Sequence, residues 1–143
     1  MDIGAINWFA VVVCVIVSMI VGSLWFNQKT FFPIWWKGIG KTASDIPGGG
    51  SSMAMTWGLT ILASFVQAVF MSLMVTALGS KMPGGATLAS GASVGALLWL
   101  GFVAPTYLVN KLFAGHGLKI WAIEVGNHLV TFVLFGAILG AWR

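Results

Sequence analysis

Charge is what this sequence has least of. Asp, Glu, Lys and Arg make up 7% of its 143 residues, against roughly 25% in soluble domains, which leaves too few polar groups for a water-facing surface. No charged residue occurs in residues 3–28, 46–80 or 82–110, and residues 120–142 hold only Glu124. Cys14 is the single cysteine, which excludes an intramolecular disulfide. With no Cys or His cluster at ligand spacing, no structural zinc site is expected. One buried acid is too few for a di-metal bundle within one protomer, so no metal and no cofactor is expected. The Gly48, Gly49, Gly50 run lacks the Gly-Lys-Ser/Thr ending of a phosphate-binding loop. There is no basic stripe or motif for nucleic acid.

What fills the space is hydrocarbon. Apolar residues reach 59% and mean hydropathy is +0.98. The expected fold is an all-α integral membrane protein, one domain over residues 1–143. It is a four-helix transmembrane bundle with spans at about 3–26, 55–78, 88–109 and 120–142, each long enough for the ~20 apolar residues a crossing requires. The runs are continuously apolar instead of alternating, which favours helices over a barrel. The first run lacks a basic start and a small-residue cleavage pattern, so it is expected to stay as a helix. Loops one and three carry Lys29, Lys37, Lys41, Lys111 and Lys119, against Lys81 and Arg143 opposite. That bias puts loops one and three in the cytoplasm, and the net charge of +4 reads as seating beside anionic lipid.

The connection at 27–54 is the long one. Its front mixes Phe31, Phe32, Trp35 and Trp36 with Lys37 and Lys41, the blend of a segment lying in the headgroup layer, with a helix expected to begin near Pro33. Its back, with three consecutive glycines and serines, is a turn or linker. His116 between two glycines reads as an ordinary turn residue.

Projected at 100° per residue, each span shows one polar stripe. Helix one offers Asn7, Cys14, Ser18 and Trp25; helix two offers Thr56, Thr60, Ser64 and Gln67. Helix three offers Trp99, Thr106 and Asn110, and helix four Glu124, Asn127, His128 and Thr131. Polar side chains avoid lipid, so the stripes are expected to converge in the bundle interior. In an antiparallel bundle most of them fall in the half nearest loops one and three. The expected feature is an inward-opening polar pocket of Trp25, Thr60, Ser64, Gln67, Thr106, Asn110, Glu124, Asn127 and His128. Glu124 and His128 are four residues apart and share a face, so they form a candidate pair.

Gly91 with Gly95 and Gly136 with Gly140 are GxxxG pairs suited to close helix contact, within one chain or between copies. Four helices enclose little volume, which argues for a homo-oligomer if a solute is carried. The leading functional reading is binding or passage of a small unknown solute or a proton through the pocket. The alternative is a non-catalytic packing or accessory subunit; a membrane enzyme is third, since Glu124, His128 and hydroxyls make no recognisable catalytic set.

The segment Gly22, Leu24, Trp25, Phe26, then Phe31, Trp35 and Lys37, resembles a small bacterial membrane-protein family known as domain of unknown function 1761. So do Trp99 to Ala104, Thr106, Asn110, Phe113, Gly115 and the Gly126-x-His128 step. The resemblance runs along nearly the whole chain and implies four spans in a bacterial inner membrane, with no activity attached. The chain departs from it at Asn27-Gln28, Glu124 and Asn127. What it shares singles out Trp25, Thr106, Asn110 and His128.

Overall fold

The computed structural model describes residues 2–143. After a 3-10 turn at Ile3–Ala5, its helices are α1 (Trp8–Trp25), α2 (Phe32–Gly38), α3 (Met53–Gly79), α4 (Leu88–Leu98), α5 (Ala104–Phe113) and α6 (Gly117–Ala141), with a π-helical turn, Trp99–Val103, between α4 and α5. α1, α3, the continuous Leu88–Phe113 unit and α6 are each long and apolar enough to cross a membrane. Among the described residues there is no strand.

The first span begins at Trp8, later than residue 3, because Asn7 caps it. The Asn7 side-chain oxygen accepts the Ala10 N–H at 3.1 Å, satisfying one of the helix's orphan amides. Asn7 is therefore an end residue, not part of an interior stripe. α1 stops at Trp25, where the Thr30 hydroxyl lies 2.7 and 2.8 Å from the carbonyls of Leu24 and Trp25 and takes up end groups that the helix leaves open. α2 starts at Phe32 with Pro33 in its first turn, where a missing N–H does no harm. Gly48, Gly49 and Gly50 all have positive φ, so the glycine run is a tight turn.

α6 is the hub, touching α1, α2, α3, α4 and α5. Its tightest partner is α4. A Cβ on Gly91 would fall on the Gly136 carbonyl, one on Gly95 on the Phe132 carbonyl, and one on Gly140 on the Thr87 carbonyl. Both GxxxG pairs are thus used inside the chain, where the missing side chains let two backbones touch.

The apolar core lies at the end away from loop one. It joins Ala10, Val11 and Cys14 of α1, Ala68, Met71 and Val75 of α3, Val94 of α4, and Phe135 and Leu139 of α6. These come from the first half of α1 and of the Leu88–Phe113 unit and the second half of α3 and α6, which antiparallel order brings to one level. Exposed apolar residues such as Phe9, Phe102 and Phe113 form the outer surface of the bundle. The two ends of the molecule therefore differ: one is packed shut, and the other is where the polar side chains gather.

Candidate functional site

The third span decides the site. Pro105 has no N–H to give the Gly101 carbonyl, and in a regular helix its ring would collide with that carbonyl. The chain widens instead, and the Ala104 N–H reaches back five residues to the Trp99 carbonyl. One extra residue in a turn rotates everything beyond it by about 100°. The stripe expected to run Trp99, Thr106, Asn110 becomes Trp99, Tyr107, Lys111. Thr106 and Asn110 are exposed, the Thr106 hydroxyl donating to the Phe102 carbonyl at 2.5 Å.

Each residue of the shifted stripe meets α6. The Trp99 indole N–H donates to the Val125 carbonyl at 2.8 Å. The Tyr107 hydroxyl lies 3.0 Å from Nε2 of His128. Lys111 Nζ lies 3.0 Å from Oε1 of Glu124. From the other side the Trp35 indole N–H donates to that same Oε1 at 2.9 Å. Glu124 and His128 thus share a face of α6, but each takes a partner from another helix and none from the other. Oε2 of Glu124 is buried with no hydrogen-bond partner among the described residues.

Toward loop one, α1 and α3 stand apart and leave a cleft of about 650 Å³. Gln67, Ser64 and Thr60 of α3 face Asn127, His128 and Thr131 of α6 across it, while Ser18 and Gly22 of α1 form a third wall. Phe26, Phe32 and Trp35 roof it, and Trp57 and Met53 flank it. No Asp, Glu, Lys or Arg lines it. The hydroxyl of Thr60 donates to the Thr56 carbonyl at 2.8 Å and that of Thr131 to the Asn127 carbonyl at 3.0 Å, so these two groups offer the cleft only lone pairs. Oδ1 of Asn127 is buried without a partner among the described residues. The lining combines aromatic rings with hydroxyls and the carboxamides of Gln67 and Asn127, which both donate and accept.

Of the nine residues expected in a pocket, Thr60, Ser64, Gln67, Asn127 and His128 line this cleft, while Trp25, Thr106, Asn110 and Glu124 lie outside it. Trp25 stands on Gly126, where a Cβ would come within 2.8 Å of its ring, and its N–H donates to the Ile123 carbonyl at 2.8 Å. In loop one, Phe31 packs on Trp25 at 4.7 Å and Phe32 on Trp36 at 5.2 Å, so these aromatics pack on one another. Trp36 donates to the Thr42 carbonyl at 2.9 Å. Just beyond, the Thr42 backbone N–H and hydroxyl, bonded to Oδ2 at 2.8 and 3.1 Å, hold the Asp45 carboxyl below its ordinary range. Tyr107 and Lys111 are the functional neighbours that a regular helical projection misses; the signal that finds them is Pro105 within a long apolar run.

The architecture is that of a four-span helical membrane protein with a short aromatic helix in the first loop. The chain belongs to the family described as Protein of unknown function (DUF1761), whose model matches residues 9–140. No curated protein and no solved structure matches it.

Proposed function

We propose that the cleft is a site for binding or passage of a small uncharged solute. The observation that carries this reading is that Thr60, Ser64 and Gln67 of one span and Asn127 and His128 of another line one cavity of about 650 Å³, within the size range of small-molecule sites. A charged solute would enter a wall with no Asp, Glu, Lys or Arg at a steep desolvation cost, whereas a neutral polar solute would meet hydroxyls and carboxamides that can bond to it. His128 is the only ionisable side chain of the lining, and through it the site is suited to couple to a proton.

In this reading the protein sits in a bacterial inner membrane with loops one and three cytoplasmic, so the cleft opens inward. The lysine bias among the loops supports that orientation. The first half of α3, exposed nearly all round, supplies a surface for a second copy, and the working form is a homo-oligomer. A second reading, a packing or accessory subunit without a ligand, draws on one observation: Glu124 is bound to Lys111 and Trp35 and His128 to Tyr107, ties that also serve to hold helices together.

Native mass spectrometry of gently solubilised protein separates the two. A retained non-lipid mass in the wild type, lost in His128→Ala and in Gln67→Leu, supports the solute site. Lipid alone in all three, with assembly altered only in the variants, supports the accessory reading.

A further inference from the structure

A second cavity, unrelated to the cleft, lies on the outside of the bundle between α2 and the start of α6. It measures about 600 Å³ and is lined by Pro33, Ile34, Lys37, His116, Lys119 and Ile120. Gly38 closes one side, since a Cβ there would run into the Ile120 side chain. Its lining combines the apolar Pro33, Ile34 and Ile120 with the nitrogen-bearing side chains of Lys37, His116 and Lys119.

The charge arrangement is lopsided. Lys111, from the same end of the molecule, turns inward and pairs with Glu124. Lys37 and Lys119 share the groove with no carboxylate in its lining, and neither makes a salt bridge among the described residues. Two like charges in one concavity repel and raise the local positive potential, which an anion relieves. His116 lines the same groove, and its Nδ1 has no hydrogen-bond partner among the described residues. Asp45, the nearest acid in sequence to α2, is engaged by Thr42 and lines no part of it.

We propose that this groove binds the phosphate of an anionic headgroup, with Lys37 and Lys119 as the charge contacts, His116 as a hydrogen-bonding partner, and Pro33, Ile34 and Ile120 under the adjoining apolar part of the molecule. The chemistry recognised is a phosphate monoanion or dianion at the membrane surface. Two sources present it, a phospholipid and free phosphate. The volume exceeds what a bare phosphate fills, and Pro33, Ile34 and Ile120 give the lining an apolar part that a bare phosphate would not use, so the phospholipid is the occupant argued for. The site fixes α2 against α6, because Lys37 belongs to one and Lys119 to the other.

The test uses the full chain in detergent, exposed to equimolar phosphatidylglycerol and phosphatidylcholine of identical acyl chains, and separately to inorganic phosphate, with bound species read by native mass spectrometry. The expected result is preferential retention of phosphatidylglycerol, reduced roughly 10- to 30-fold in Lys37→Gln/Lys119→Gln. Lys29→Gln/Lys41→Gln removes the same amount of charge from loop one, at positions outside the groove, and is expected to keep the preference. Retention of inorganic phosphate that depends on Lys37 and Lys119, without lipid preference, upholds the phosphate site and reassigns its source. Equal retention of the two lipids with no phosphate bound overturns the inference. Equal losses in the two double variants also overturn it, because they would reduce the effect to general surface charge.

Discussion

The indole N–H of Trp35 donates across 2.9 Å to the Oε1 of Glu124, tying a residue of the surface helix α2 to the one acid within a membrane span. Lys111 Nζ approaches the same oxygen at 3.0 Å, so a single carboxylate oxygen joins α2, α5 and α6. Trp35 also roofs the cleft. The ion pair therefore lies outside the cavity yet holds one of its walls.

Breaking that pair from one side leaves a charge without its partner. Lys111→Met is expected to destabilise the protein by on the order of 3 kcal/mol, and Lys111→Met/Glu124→Gln by less, because the double variant removes both charges and keeps an acceptor for Trp35. Thermal unfolding in detergent reads the difference. A double variant no more stable than the single would show that the charges matter little.

The contact between α4 and α6 is backbone on backbone. Gly91→Leu places a side chain on the Gly136 carbonyl and is expected to cost more than about 4 kcal/mol or to prevent assembly. Gly58→Ala, with nothing within 4 Å of its added carbon, is expected to stabilise by up to about 1 kcal/mol. Folded yield and melting temperature of the two variants provide the comparison, and a well-tolerated leucine at position 91 would refute the close contact.

Trp25 serves as a strut. Trp25→Phe loses both the outer indole carbons that lie against Gly126 and the bond to the Ile123 carbonyl, so a loss on the order of 2 kcal/mol in stability is expected, with cleft binding unchanged. A binding defect at full stability would move Trp25 into the site.

Accessibility separates the two ends of the bundle. In the presence of the buried Cys14, Thr60→Cys and Gln67→Cys are expected to react with a small water-soluble thiol reagent, and Val75→Cys, at a fully buried position, is not. Equal labelling of all three would contradict a closed opposite half.

The Asp45 turn is acid-sensitive. Hydrogen bonds from Thr42 lower the Asp45 pKa, so the stabilisation they give the turn is present above the carboxylate's unfolded value and is lost as pH falls through its lowered folded value. Because Trp36 donates to the Thr42 carbonyl, its indole N–H resonance is expected to shift in that acid range, and Asp45→Asn to remove the titration. A resonance that stays fixed while the wild type is acidified would break the link between the two.

Hydrophobic patterning alone determined that this chain makes four spans, because hydrocarbon admits only segments whose backbone bonds close within themselves and whose length matches the bilayer. It also put the polar side chains at one end, since antiparallel order fixes depth from sequence position. Thr60, Ser64, Gln67, Asn127 and His128 were legible for that reason: they lie on regular helices whose faces follow from 3.6 residues per turn. Which residues bond to which was decided only in three dimensions. One widened turn before Pro105 exchanged Thr106 and Asn110 for Tyr107 and Lys111. A surface tryptophan 89 positions from Glu124 came to share its carboxylate. Partnership at such separations depends on how helices rotate and dock, and local periodicity carries no record of that.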